Sequence, residues 1–210
     1  MIADERWLDP WAALGVTASP RLTALQVDVL ARYREPQRHY HTMQHIDECF
    51  ERWQELGAHA THPAEVQLAL WFHDVIYDTQ RTDNEARSAA LARDAALSHG
   101  VVADSAQRIA ELILFTRHAV EPEGRDAEAL IDVDLSILGA AAARFDEYER
   151  QVRREYAWVP EDTFRKRRRE VLEQFLARSH IYSTGVFRER YEPRARANLQ
   201  RSLEALAINS

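Results

Sequence analysis

Three histidines lie close together near the beginning of the chain, in the segment HYHTMQH at residues 39–45. His41 and His45 are four positions apart, so they share one face if both belong to a helix. His45 also borders an apolar stripe that includes Ile46 and Cys49. Two histidines at this spacing recur by chance, so the pattern indicates a metal site only when other segments supply further candidate ligands.

A second polar pair interrupts the most apolar segment of the chain, WFHDVIYD at residues 71–78. His73 and Asp74 fall inside a predicted helix over 63–78 that is apolar nearly all round, which is typical of a buried helix. Burying such side chains without partners is costly. A metal ion would compensate both at once. A His–Asp pair satisfied by the backbone or by an arginine is an alternative of equal weight.

The segment LIDVDLSILG at residues 130–139 carries two aspartates with different predicted surroundings. Helical geometry places Asp134 inside an apolar stripe and Asp132 on the wetter side of the same helix, where it would be exposed or would support a metal ligand from outside. A carboxylate that points into the core must be paired or ligated. We therefore expect Asp134 within about 8 Å of the His73 imidazole, because a shared ion requires bonds of about 2 Å.

The composition excludes several classes of protein. A chain of 210 residues with 46% hydrophobic and 29% charged residues is typical of a globular domain. The net charge of −7 argues against a nucleic-acid-binding protein, which usually has an electropositive surface. Cys49 is the single cysteine, so neither an internal disulfide nor a cysteine-rich zinc site can form.

The N-terminal segment lacks the basic and then apolar layout of a signal peptide. No apolar run approaches the roughly 18 residues of a membrane span. We therefore predict a cytoplasmic protein that makes no membrane contact. The oligomeric state stays open, with a homo-oligomer as a candidate.

Helical periodicity extends over almost the whole chain, and glycine and proline are too scarce for a fold of many short strands. We predict an all-α fold, a single domain over 1–210 with about nine helices. Thr82 and Glu85 have the spacing of a capping box, and Pro193 should start or kink the last helix. The predicted helices cover residues 20–36, 42–57, 63–78, 82–100, 104–118, 126–139, 142–159, 161–178 and 184–207.

In this order along the chain, YHTMQHI, WFHDVIYD and DVDLSILG resemble the HD superfamily of metal-dependent phosphohydrolases. The likeness is greatest to a bacterial branch of about this length, and it extends through RREY and FLARSHIYST. The resemblance implies a single all-α HD-type domain that hydrolyses a phosphate ester or anhydride. Its substrate would be a small phosphorylated molecule such as a nucleotide.

The resemblance also assigns roles by position. His45 matches the first metal-ligand histidine of the family, and Asp134 matches its final ligand aspartate. His73 and Asp74 match the doublet that gives the family its name. In the more distant cyclic-nucleotide phosphodiesterases a similar YHN motif supplies the histidine that protonates the leaving group. His41 occupies that place, with threonine where those enzymes have asparagine, so His41 is the expected general acid.

The expected cofactor is a divalent metal ion. A mixed set of imidazoles and carboxylates suits Mn²⁺, Fe²⁺, Ni²⁺, Zn²⁺ or Mg²⁺ and does not choose among them. Such an ion lowers the pKa of water towards 7 and stabilises charge on phosphoryl oxygens. In HD enzymes the aspartate at the place of Asp74 can bridge to a second ion. His118, Glu85 and Asp78 are the candidates for a second metal or phosphate, although capping is the preferred role for Glu85.

Arg154, Tyr156 and Tyr182 are the predicted substrate-binding residues, since they lie in segments that resemble the family and an arginine fork suits phosphate. The basic run RKRRR at 165–169 covers more than one helical turn, so most of it should face water. Two alternatives to hydrolysis remain. One is a non-catalytic sensor module that binds a metal and a nucleotide on an HD scaffold. The other is redox chemistry of the di-iron oxygenase kind, which needs additional ligands.

Overall fold

The structure is a computed structural model that describes residues 5–208 and the side chains of 5–207. Within this range the chain forms α-helices, one 3₁₀ segment and no β-strand, which confirms the predicted all-α class. There are ten described α-helices rather than nine. They are α1 (Glu5–Ala13), α2 (Pro20–Arg32), α3 (Met43–Leu56), α4 (Pro63–Phe72), α5 (Asn84–Ser98), α6 (Ala103–Phe115), α7 (Arg125–Asp134), α8 (Ala142–Glu155), α9 (Glu161–Ala177) and α10 (Gly185–Ile208). None of these helices is both long and apolar enough to cross a bilayer.

Helix α4 is the central element of the core, as its apolar sequence predicts. It contacts α1, α3, α5, α6 and α7, and seven of its ten residues are buried. Helix α1 was not predicted. Its Trp7 and Trp11 are fully buried and contact the Phe72 ring at the end of α4, and Trp7 also contacts the Trp71 ring edge-on. Burial of two indole rings stabilises a helix that is too short to persist alone.

Helix α4 ends at Phe72, six residues before the predicted end at residue 78. The helix stops here because the carbonyl and N–H groups of the next residues form hydrogen bonds with side chains from other parts of the chain. The Arg38 guanidinium, whose side chain is buried, donates to the carbonyl oxygens of Asp74 at 2.6 Å and of Val75 at 3.1 Å. The N–H of Ile76 donates to the Ser88 hydroxyl at 3.0 Å. His73 and Asp74 therefore lie in a turn at the end of the helix.

Helix α7 likewise ends at Asp134, and a 3₁₀ segment (Leu135–Gly139) follows where one continuous helix was predicted. Gly139 allows this segment to approach α10 closely. A β-carbon at this position would lie 2.7 Å from Cβ of Tyr191 and 2.8 Å from the Tyr182 hydroxyl oxygen, so a larger residue would force the two apart.

The observed start of α5 differs from the predicted one, because a side chain near it bonds to the preceding loop. The Thr82–Glu85 capping box does not form, because α5 begins at Asn84 and Asp83 occupies the capping position. The Asn84 side chain is instead bonded to the backbone of Asp78, donating to its carbonyl at 2.9 Å. Pro193 lies inside α10 rather than at its start.

Candidate metal centre

The turn after α4 brings the His73 and Asp74 side chains to the same point. His73 is 1% exposed, and its Nδ1 faces the Leu70 carbonyl oxygen at 2.9 Å. A carbonyl oxygen only accepts, so Nδ1 carries a proton, and Nε2 is the atom left to bind a second proton or a metal cation. The Oδ2 atom of Asp74 lies 3.1 Å from that Nε2.

Helix α3 supplies the second imidazole. His45 lies in its buried stripe, and its Nε2 is 3.0 Å from Nε2 of His73. His41 does not share the helix with His45, since it precedes Thr42, the residue that caps α3. The two histidines of the HxxxH pattern therefore reach the centre from a helix and from the loop before it.

Asp134, the last residue of α7, completes the group. Its Oδ1 lies 3.3 Å from Nε2 of His45 and 3.6 Å from Nε2 of His73, so the expected proximity of Asp134 and His73 is observed. The Nε2 of His45 is also 3.6 Å from Oδ2 of Asp74. Atoms bonded to one ion at about 2.0–2.2 Å are separated by roughly these distances. This arrangement could hold a metal ion.

Cys49 is a further soft donor beside the cluster. Its Sγ lies 3.7 Å from Nδ1 and 3.8 Å from Nε2 of His45, one turn along α3. Burial raises the pKa of the Cys49 thiol well above its usual value, and the Asp134 and Asp74 carboxylates add to this effect. The thiol is therefore protonated at neutral pH and is a poor ligand as long as no ion displaces its proton.

The charges of the cluster depend on one another. Burial by itself would raise the pKa of the Asp74 and Asp134 carboxyls, but the neighbouring histidines lower both below the usual range. Burial would lower the pKa of His73, but the two carboxylates raise it well above its ordinary value. The cluster therefore attracts positive charge, which a proton or a metal cation can supply.

His118 reaches the same aspartate from the loop after α6. Its Nε2 lies 3.2 Å from Oδ2 of Asp134, the oxygen that does not face His45. Its backbone has a φ of 54°, the left-handed conformation that non-glycine residues adopt at some cost. Among the described side chains its Nδ1 is one of four buried polar atoms that have no hydrogen-bond partner. The predicted second-metal or phosphate candidate thus lies beside the cluster.

The His41 imidazole is held by a carboxylate that the sequence did not indicate. Its Nδ1 lies 2.7 Å from Oε2 of Glu155, and its ring stacks on Tyr77 with centroids 4.0 Å apart. The Tyr77 hydroxyl donates to the same Oε2 at 2.9 Å. The other oxygen, Oε1, accepts the backbone N–H groups of residues 39–41 at 2.7, 2.7 and 3.0 Å.

These contacts fix the protonation of both groups. Burial by itself would raise the pKa of Glu155, but His41 and the backbone N–H groups lower it to about 2. Burial by itself would lower the pKa of His41, but Asp74 and Glu155 raise it above its ordinary value. At neutral pH Glu155 is an anion, and the His41 imidazole can retain the proton on its other nitrogen.

A cavity of about 460 Å³ opens onto His41, Asp74 and Asp134. This volume is within the range of small-molecule sites. Its wall contains both apolar side chains and four arginines. The apolar contributors include Leu135, Ile137, Phe164, Val171 and Phe175.

The other predicted site residues are divided between the cavity and the rest of the molecule. Glu85 and Tyr156 line the cavity. Arg154 and Asp78 are exposed, and the structure does not bring either to the cluster. The Asp78 carboxylate instead accepts the N–H of Gln80 at 2.9 Å.

Tyr182 also lies away from the cavity. It is buried, and its hydroxyl donates to the Leu135 carbonyl at 3.2 Å. Its position therefore supports the 3₁₀ segment and is explained by packing.

Three residues near the centre were missed or misplaced by the sequence. Asp132, expected on the wetter side of α7, is fully buried. Arg168, in the basic run expected to face water, is 9% exposed and lines the cavity. Glu155 belongs to the RREY segment, and the signal that could have indicated it is an acidic residue between two arginines and a tyrosine in an amphipathic helix.

The chain matches no family model, no curated protein and no solved structure at a significant level.

Proposed function

We propose that this protein is a metal-dependent phosphohydrolase of the HD type, which cleaves a phosphate ester or anhydride of a small molecule. One observation carries the proposal. The Nε2 atoms of His45 and His73 lie 3.0 Å apart, and each lies 3.1–3.6 Å from one oxygen of Asp74 and one of Asp134, although the four residues come from three separate helical regions. Such a group is costly to bury without a cation.

The proposed metal ligands are His45, His73, Asp74 and Asp134, which match the family pattern in both identity and order. The mixed nitrogen and oxygen set suits Mn²⁺, Fe²⁺, Ni²⁺, Zn²⁺ or Mg²⁺. A divalent ion held there would polarise a phosphoryl oxygen and lower the pKa of a water molecule enough to make it a nucleophile.

The proposed general acid is His41. Its Nδ1 is engaged by Glu155, so its proton-donating Nε2 is the atom left to face the leaving oxygen. Glu155 holds the ring in one tautomer and stabilises the imidazolium form, as a carboxylate does for a catalytic histidine elsewhere. Asp74 and His41 line the same cavity, which supports the proposal that the acid and a metal ligand act on one substrate.

The same residues favour a hydrolase over the sensor alternative. A binding module needs ligands for an ion and a phosphate, but it has no use for an oriented proton donor beside them. Glu155 is buried, and its carboxylate makes five hydrogen bonds, one of them to the His41 imidazole. Such a support is expected where the direction of a proton transfer matters.

The test has two steps on purified full-length protein. Elemental analysis should find a transition metal or Mg²⁺ at no less than one equivalent per chain after reconstitution. The reconstituted protein should then release phosphate from phenyl phosphate or from one of a panel of phosphorylated metabolites, tested with each metal.

Asp74→Ala should abolish both metal retention and phosphate release. Asp28→Ala, which removes an exposed carboxylate of α2, is the matched control and should leave both unchanged. A protein that binds phosphorylated ligands with metal and leaves them intact would instead be the sensor. Failure to retain any metal would contradict both candidates.

A further inference from the structure

Arg178 lies immediately after α9 and forms part of the cavity wall. Its Nη2 donates to the carbonyl oxygen of His118 at 3.0 Å, and its guanidinium lies 4.7 Å from the centroid of the Phe175 ring. The Phe175 ring in turn contacts the His118 imidazole, with centroids 5.9 Å apart. Arg178 thus lines the cavity that opens onto Asp74 and Asp134, and the Phe175 ring contacts both its guanidinium and the imidazole of His118.

The other three arginines of this wall face carboxylates. Arg168 forms an ion pair with Glu149, and Arg167 lies 2.9 Å from the Glu170 carboxylate. Arg117 approaches Glu85 at 3.9 Å. Their positive charges are largely compensated before any ligand enters.

The surroundings of Arg178 are different. In the part of the chain that the structure describes, its guanidinium donates a hydrogen bond to a neutral carbonyl, and the Glu121 carboxylate acts on it only through space. Burial lowers the pKa of Arg178 below its usual value, more than the Glu121 carboxylate raises it. A half-buried guanidinium in a cavity, with one of its five N–H groups used by a carbonyl, retains donors for an anion.

We propose that Arg178 binds a second anionic group of the substrate, a phosphate or a carboxylate. The phosphoryl group that is cleaved would lie at the candidate metal centre formed by His45, His73, Asp74 and Asp134. The inference rests on the proposed function for the position of the scissile group. It narrows the substrate class to phosphate monoesters that carry a second negative charge across a short apolar body. Phe175, together with Ile137 and Val171, forms the surface against which that body would pack.

The hydrogen bond from Arg178 to His118 could also have a purely structural role, because it supports a residue with positive φ. The two roles predict different results. A structural arginine affects the affinity for all ligands equally through His118. An anion-binding arginine affects only ligands that carry the second charge.

The experiment compares two hydrolysis-resistant probes, phenylphosphonate and 4-carboxyphenylphosphonate, by isothermal titration calorimetry on metal-loaded protein. The wild type should bind the carboxylated probe about tenfold to a hundredfold more tightly, since a charge-assisted hydrogen bond is of that strength. Arg178→Gln should remove this preference and leave the affinity for phenylphosphonate within about twofold. Arg178→Lys should retain part of the preference, because the charge remains and the planar fork is lost. Arg150→Gln, an exposed position on α8, is the control and should behave like the wild type.

Two results would overturn the inference. The wild type would show no preference between the probes, or Arg178→Gln would weaken both by the same factor. If Arg178→Gln does not fold, as judged by circular dichroism, Arg178→Lys decides by the loss or retention of the preference.

Hydrolysis is scored separately, with phenyl phosphate and 4-carboxyphenyl phosphate as substrates. An Arg178-dependent preference in a protein that hydrolyses neither ester, nor any phosphorylated metabolite of the panel, would support the anion site and reject the hydrolase. Hydrolysis of both esters at equal kcat/KM would support the hydrolase and reject the anion site.

Discussion

Asp132 and Asp134 lie two positions apart at the end of α7, and the fold gives them opposite surroundings. The Asp132 carboxylate accepts the backbone N–H groups of Ser183 and Thr184, each at 2.7 Å, and the Thr184 hydroxyl at 2.6 Å. The Asp134 carboxylate faces imidazole nitrogens at 3.2–3.6 Å. Fixed donors satisfy a carboxylate without further help, whereas imidazoles do so only when a proton or a cation lies between them.

Burial alone does not distinguish these two roles. Asp132 is fully buried, and burial raises its pKa to about 6 even though its hydrogen bonds act in the opposite direction. Asp134 retains 12% exposure of its side chain because it faces the cavity. The more buried aspartate joins α7 to the start of α10, and the more accessible one is the candidate ligand.

The largest expected effect follows from removing Asp134. Asp134→Ala should lose the bound metal and lower kcat/KM on any identified substrate by about 10³-fold or more, because an electrostatic partner of the reacting centre is lost. Elemental analysis and steady-state kinetics measure the two losses. Retention of a full equivalent of metal would show that Asp134 is not a ligand and would weaken the comparison with Asp132.

The companion change should act on stability and leave metal binding intact. Asp132→Ala leaves two backbone N–H groups without their acceptor and should lower the free energy of unfolding by about 3 kcal/mol. Urea titration followed by circular dichroism gives this value. Asp132→Asn, which keeps a carbonyl acceptor, should cost less. Loss of metal without loss of stability in Asp132→Ala would reverse the assigned roles.

A third carboxylate, Glu155, resembles Asp132 in accepting hydrogen bonds from backbone N–H groups and resembles Asp134 in contacting an imidazole, that of His41. Glu155→Gln should lower kcat by about 100-fold while metal content stays the same, because a positioned general acid contributes at least that factor. A control with Asp28→Ala separates this effect from general surface changes. Parallel loss of metal and activity would show a structural role instead.

The pH dependence of the same variant has a defined sign. Glu155 helps to raise the pKa of His41, so the protonated imidazole persists at higher pH in the wild type. A general acid is active below its pKa, and the rate should fall as the pH rises through that value. In Glu155→Gln the fall should move to lower pH. A profile of log kcat against pH at saturating metal measures it, and an unchanged or opposite shift would exclude His41 as the acid.

The smallest effect is expected for Cys49, which contacts His45 but is a neutral thiol and so attracts a cation less than a carboxylate does. Cys49→Ala should retain the metal and most of the activity, and it should lower the free energy of unfolding by about 1 kcal/mol through lost packing. Substitution with Co²⁺ provides the decisive measurement, since a thiolate ligand gives a charge-transfer absorption band. A band present in the wild type and absent in Cys49→Ala would add sulfur to the ligand set.

Much of the fold was accessible from the sequence because helical periodicity is a local property. The apolar faces predicted the all-α class, and the polar interruption at His73 and Asp74 indicated the place where a buried centre needs compensation. Helix ends were less accessible. The end of α4 depends on Arg38, which is 36 positions from Asp74 in the chain, and no local pattern reports such a partner.

The candidate site was accessible in its residue types and in the order of its motifs. The residues that hold the site in place could not be predicted from the sequence. Glu155 meets His41 across 114 positions, and Asp132 meets Thr184 across 52. Helical geometry placed Asp132 on the wetter face because it considers only neighbours within the same helix, whereas the segment before α10 covers that face.

The sequence by itself determined the all-α class, the approximate position of nine of the ten described helices and which side chains would be costly to bury. All three follow from the spacing and the chemistry of neighbouring residues. Only the tertiary structure decided that His45, His73, Asp74 and Asp134 meet at one point, that Asp132 is tied to α10 and that Arg178 faces the cavity. Those outcomes depend on how separate helices pack, because packing sets the distances between side chains that are remote along the chain.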